Sequence, residues 1–192
     1  MKPPIEPGHQ PVDILAPDGT PTGEQATLDH AASHGLPFGS VHVLVYTADG
    51  HVLVQKRSRT IIFAPGRLDY GVGGVMNAGE TPAAAAVREL REETGISAKQ
   101  SQLSPLGTTP YHHRWPRYHR HLRVFTHSYL LKLPAVPAHL TLQPSEVDDA
   151  WFISLAQARQ LLRRHTLSRL GRLLGRYSYY GWLLHQLPHR PS

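Results

Sequence analysis

The chain has 192 residues, a formal net charge of +6 and no Cys. That length suits one domain with a substantial core, and the missing Cys excludes disulfides, zinc–thiolate sites and any cysteine nucleophile. The positive charge favours anionic ligands, while the absence of a bilayer-length apolar run and of a signal-peptide core in MKPPIEPGHQPVD predicts a soluble, cytoplasmic protein.

Residues 1–11, rich in Pro and polar side chains, are expected as a mobile tail before a single domain over 12–187, with a second tail at 188–192. Residues 12–15 read as a short strand, Pro17-Asp18-Gly19 as a turn, and the segment to about Glu24 as a returning strand. A helical turn follows at 26–33, closed by Gly35. Apolar, β-branched runs at 40–47 and 51–57 flank Ala48-Asp49-Gly50 and predict a hairpin ending at Lys56-Arg57. Residues 61–68 hold Pro65-Gly66 and are expected as a loop, and 69–75 as one strand.

The strand leads into GVMNAGETPAAAAVRELREETGI, from Gly74 to Ile96. Thr81 suits an N-cap and Pro82 the first helical position, the Ala run propagates the helix, and Gly95 stops it, so a helix is predicted over 82–94. On a 3.6-residue period Ala83, Ala86, Val87, Leu90 and Thr94 share a packing face, and Ala85, Glu89, Glu92 and Glu93 share the other. Like charges at such spacing, in the half of the helix where the macrodipole disfavours anions, are unfavourable unless a hard divalent cation takes their oxygens. A solvated acidic face laced with pairs such as Arg88–Glu92 is the plainer alternative.

Beyond the helix, strands are expected at 106–111 and 122–131, joined by His112 to His121, the sequence HHRWPRYHRH. No Asp or Glu occurs between Glu93 and Glu146, whereas Lys99, Arg114, Arg117, Arg120, Arg123 and Lys132 do. The joining segment is therefore expected as a flap that faces a phosphate with Arg114 and Arg117 and stacks a base on Trp115 or Tyr118. A solubilising hairpin tip is the competing reading, and the His clusters there lack a zinc pattern. His42, in an alternating apolar strand, reads as a sheet histidine. The Pro-rich 133–144 is a connection and 150–153 a short strand. Ser154 can cap a helix to about 164, and Thr166 a second to about 186, whose Leu167, Leu170, Leu174 and Tyr177 pack while Arg169, Arg172 and Arg176 line another side.

Gly74, Glu80, Arg88-Glu89-Leu90, Glu92-Glu93 and Gly95-Ile96 resemble a complete Nudix box, every fixed position being filled. VDILAPDGTPTGE, VHVLVYTADGHVLVQKR, PGRLDYGVGG and EVDDAWFISL extend the resemblance to the isopentenyl-diphosphate-isomerase-like branch, over most of 12–160. The resemblance implies an α/β Nudix fold, a mixed β-sheet sandwiched between α-helices. It implies a pyrophosphohydrolase that uses Mg²⁺, with Mn²⁺ as a substitute, on the diphosphate bond of a nucleoside diphosphate linked to another group.

Carried over by position, Glu92 and Glu93 would bind metal with the Gly74 carbonyl, and Glu89 would be a metal ligand or the general base. Arg88 would hold the glutamates and Glu80 brace the loop or contact metal, with Glu146 and the His112 to His121 loop as further candidates for the base. Arg57, Arg114 and Arg117 are the candidate substrate-binding cations. The expected partner is a small-molecule diphosphate, not a membrane or nucleic acid, and a homodimer is left open. The isomerase itself would need a Cys within 71–74 and an acid in the strand after the box, and the chain has neither. A non-catalytic nucleotide- or RNA-binding member of the fold would have no need of Glu89, Glu92 and Glu93 together.

Overall fold

Alternating apolar runs punctuated by Gly and Asp turns become nine strands in the computed structural model, which describes residues 8–61, 65–115, 120–167 and 177–187. The order is β1 (Pro11–Leu15), β2 (Pro21–Thr27), α1 (Leu28–His34), β3 (Pro37–Thr47), β4 (His51–Arg57), β5 (Leu68–Tyr70), β6 (Val72–Val75) and α2 (Pro82–Thr94). A 3₁₀ turn, β7 (Leu103–Trp115), β8 (Arg120–Leu133), β9 (Val147–Ser154), α3 (Leu155–Leu167) and α4 (Tyr177–His185) complete it. Among the described residues no helix is long and apolar enough to cross a membrane.

The contacts divide the chain into two units. The first combines residues up to 42 with 73–88 and 105–129. Here β1 pairs antiparallel with β2, Val12 opposite Ala26, and meets β3 at Ile14–Phe38. Strands β6 and β8 also pair with β3, and β7 with β8. Val12, Ile14, Ala31, Phe38, Val41, Ala85 and Ala86 are buried. Thr27 caps α1 by accepting from His30 N, and Gly35 ends it in the left-handed region. Residues 8–11, expected in the tail, are pinned: Asp29 N donates to Gly8 O, and Ala78 N to Pro11 O at 2.9 Å. Residues 1–7 and 188–192 lie outside the described residues.

The second unit holds 43–72, 89–104 and everything from 130. Strand β4 is its spine, paired antiparallel with β3 (Tyr46–Val52), β5 (Val54–Tyr70, Gln55–Asp69) and β9, from His51–Ser154 to Arg57–Val147. Val43, Leu44, Val52, Leu53, Val54, Leu90, Leu131, Ala158, Leu183 and Leu184 form its core. Ser154 caps α3, its Oγ accepting from Gln157 N at 3.2 Å.

Three expectations are corrected. The strand over 69–75 is two strands, because Gly71 adopts φ 85° and a Cβ there would lie 2.0 Å from Val43 O. Most of the expected 112–121 flap is strand: Tyr111 and His113 are half-buried while His112 and Arg114 are exposed, the two-residue alternation of β7, and β8 already begins at Arg120. Residues 116–119, with Arg117 and Tyr118, lie outside the described residues. Thr166, expected at the start of a second helix, lies within α3, which helical Leu, Gln and Arg residues carry to Leu167. Residues 168–176, with Arg169, Leu170, Arg172, Leu174 and Arg176, also lie outside the described residues.

Candidate functional site

The helix α2 begins and ends where its caps dictate. Ala84 N donates to Thr81 Oγ1 at 3.3 Å, and Gly95, at φ 73°, donates its N–H to Arg91 O at 3.0 Å. Residues up to Arg88 belong to the first unit and those from Glu89 to the second.

In the first unit Arg88 braces the turn that precedes the helix. Its Nε donates to Glu80 Oε1 and its Nη2 to Glu80 Oε2, both at 2.9 Å, a two-pronged pairing that only a guanidinium can make. Nη2 also reaches Val75 O at 3.0 Å, and Asn77 N donates to Glu80 Oε2. Burial opposes ionisation of Glu80, but the Arg88 and Asn77 hydrogen bonds outweigh it and hold the carboxyl below its usual range. Gly74 is half-buried in β6, within the same unit. Arg88→Lys keeps the charge but loses the fork, so urea denaturation should show a loss of about 1–3 kcal/mol. An unchanged midpoint would reduce the pairing to decoration.

In the second unit Glu89, Glu93 and Glu146 converge, with one carboxylate oxygen of each within 4.8 Å of the others. Glu89 and Glu93 are buried, at 6% and 2% exposure, whereas Glu92 is exposed and outside the group. This corrects the two-face reading of α2. Seven residues of α-helix return to within about 20° of the starting direction, so Glu93 projects alongside the buried Ala86 rather than opposite it. Glu146 sits in the turn before β9, its carbonyl accepting from Ser58 N at 2.8 Å and its Oε1 from Gln143 Nε2 at 3.3 Å.

Glu93 is the strained member. Its Oε2 is buried with no hydrogen-bond partner among the described residues. Burial, then the charges of Glu89 and Glu146, push its carboxyl well above the usual range, against the pull of Arg57 and a Gln55 hydrogen bond. A buried carboxylate with one oxygen unpartnered, beside two others, costs several kcal/mol as an anion. The donor set fits a hard divalent cation, because oxygens at about 2.0–2.6 Å from one ion stand up to roughly 4–5 Å apart.

Of the other predicted site residues, Arg57 is in this unit, its Nη1 3.7 Å from Asp69 Oδ2. Arg114 is exposed on β7 in the first unit. Gln55 and Asp69 were not anticipated. Their signal was a polar residue in each of two apolar strand patterns, and both are buried, at 1% and 5% exposure.

The NUDIX domain family matches residues 37–171. An uncharacterized Nudix hydrolase of Rhodococcus erythropolis, orf19, is 33% identical over 152 residues, 77% of this chain and 79% of that protein. An isopentenyl-diphosphate Delta-isomerase of Streptomyces griseus is 29% identical over 158 residues, 80% of this chain and 74% of that one. Among solved structures, DR0079 of Deinococcus radiodurans superposes with a TM-score of 0.60 at 20% identity, covering 83% of this chain and 90% of that one. The matched span takes in the arginine-braced turn, all of α2 and Glu146, so the chain belongs to the NUDIX family and is a hydrolase of phosphorus-containing anhydrides.

Proposed function

We propose that the chain is a divalent-metal-dependent pyrophosphohydrolase, working with Mg²⁺ or in its place Mn²⁺, on the diphosphate bond of a nucleoside diphosphate linked to another group. The observation that carries this reading is the convergence of Glu89, Glu93 and Glu146 around a buried, unpartnered oxygen. These three carboxylates would hold the ion. Bound there, a divalent cation neutralises phosphate oxygens and acidifies water.

In the reaction, a water oxygen forms a bond to phosphorus, the bridging P–O bond breaks, and the leaving phosphate departs with the bond's electron pair. The water's proton passes to a carboxylate of the set, Glu89 in our assignment. Arg57, on the same unit, supplies a fixed positive charge against the phosphate. Glu80 and Arg88 brace the turn that leads into α2.

The likeness to an isomerase favours one other reading, alkene isomerisation of an isoprenoid diphosphate. As the resemblance implies, that reaction needs a Cys as proton donor; the chain has none, and Gly71, Val72, Gly73 and Gly74 fill the stretch where it would fall. A panel of nucleotide sugars, dinucleotides, nucleoside triphosphates and isoprenoid diphosphates in ¹⁸O-labelled water separates the readings. Metal-dependent release of a nucleoside monophosphate or phosphate carrying one ¹⁸O is expected. Turnover of no member of the panel, or an allylic isomer with no phosphate release, would overturn the proposal.

A further inference from the structure

The turn between β6 and α2 is held by β1, a strand outside the span matched by the family. Burial alternates along β1: Val12 and Ile14 lie in the core, whereas Asp13 between them is half-buried and projects from the other face. There its carboxylate accepts twice, at Oδ1 from Gln25 Nε2 at 2.9 Å and at Oδ2 from Gly79 N at 2.7 Å. Two neighbours hold the same turn. Pro11 O accepts from Ala78 N at 2.9 Å, and Gln10 Nε2 donates to Val75 O at 3.3 Å, the carbonyl that Arg88 Nη2 also reaches. All of these residues belong to the first unit. The other backbone N–H groups of the turn are engaged elsewhere: Met76 N donates to Gly39 O, Asn77 N to Glu80 Oε2 and Glu80 N to Asn77 O. Gly79 is the exposed residue of the turn and stands at φ 75°, in a region that glycine enters and leaves readily. Its anchor is a carboxylate, and a charge-assisted hydrogen bond to a backbone N–H is roughly twice as strong as a neutral one.

Resting on the reading above, we propose that Asp13 is a positioning residue for the hydrolysis: it fixes the tip of this turn, and with it the start of α2, whose later residues Glu89 and Glu93 would hold the ion. The Glu80–Arg88 fork ties the turn to the helix, whereas Asp13 and its neighbours tie it to the sheet. Neither replaces the other. The fork moves with α2, so contacts with β1 and β3 set where turn and helix stand together. Because Asp13 acts through the turn, its loss falls on kcat rather than on KM.

Asp13→Ala, Asp13→Asn and Gln25→Ala test this in the full chain with two readouts. With a substrate from the panel, Asp13→Ala is expected to lower kcat roughly 5- to 20-fold while KM stays within about twofold. Asp13→Asn keeps an acceptor oxygen for Gly79 and should recover most of that loss. Gln25→Ala removes the carboxylate's other partner and should leave kcat unchanged. In the metal-free protein, amide hydrogen exchange in Asp13→Ala should quicken by about tenfold or more at Ala78 as well as at Gly79, although Ala78 is bonded to Pro11. Wild-type kcat in Asp13→Ala, a loss that Asp13→Asn does not relieve, or an equal loss in Gln25→Ala would overturn the proposal. If the panel yields no turnover, the hydrolase reading fails by itself, and exchange alone decides whether Asp13 positions the turn. Quickening at both amides supports it, and a change confined to Gly79, or none, overturns it.

Discussion

Glu93→Gln is expected to lower turnover by on the order of 100-fold or more while raising the melting temperature of the metal-free protein. The two effects have one cause. Glu93 is buried on α2 with one oxygen that no described residue satisfies, beside Glu89 and Glu146. Its charge is costly to the fold, and only a cation at the carboxylate group would recover that cost. The amide substitute keeps the shape and removes the charge. It also offers an N–H to Gln55, whose Oε1 has no partner among the described residues and whose side chain already bonds Glu93. A gain of about 1–3 kcal/mol in the absence of metal follows. Kinetics and thermal melts in chelator check both halves. Wild-type turnover, or a variant less stable than wild type without metal, would contradict them.

The metal-free protein should lose stability as the pH rises above about 4.5, and Glu93→Gln should remove that loss. In the folded state the Glu93 carboxyl is held well above its usual 4.5 by burial and by its acidic neighbours. Between the two values the native state binds more protons than the unfolded chain, so unfolding free energy falls with pH, by at most about 1.4 kcal/mol per pH unit for one group. Glu80 acts in a different window and with the opposite sign: its depressed value contributes stability above 4.5 that is lost as the pH falls. Urea titrations of both proteins in chelator from pH 4.5 to 8, repeated in saturating Mg²⁺, separate the two. Mg²⁺ at 100 times its Kd would restore about 2.7 kcal/mol and flatten the wild-type curve. Parallel curves for wild type and variant in chelator would dismiss Glu93 as the titrating group.

How far the sequence could be read depended on whether a signal was local. Helix α2 has the predicted bounds because Thr81, Pro82 and Gly95 are neighbours of the ends they control. The β3–β4 hairpin was likewise legible from Asp49-Gly50. The split at Gly71 was not, because the atom that forbids a Cβ there, Val43 O, lies far away in the chain. The Nudix pattern names Glu89, Glu92 and Glu93, and of these Glu89 and Glu93 stand in the carboxylate group, whereas the approach of Glu146 is tertiary: it comes from the end of β4 and the start of β9, where Ser58 N holds its carbonyl. Helical periodicity misled over Glu93, since a charged residue invites an outward assignment although its angle matches that of Ala86. Tyr180 donates its hydroxyl to Asp69 across 111 residues, and nothing in either neighbourhood points to the other.

In the proposed site Glu89, Glu93 and Glu146 together hold a divalent cation. The most direct measurement is anomalous diffraction from crystals of the wild-type protein grown with Mn²⁺. A peak is expected within about 2.0–2.6 Å of an oxygen from each of the three carboxylates, lost in crystals of Glu93→Gln. A Mn²⁺ peak elsewhere with these carboxylates unligated, or one that persists undiminished in the variant, would contradict it.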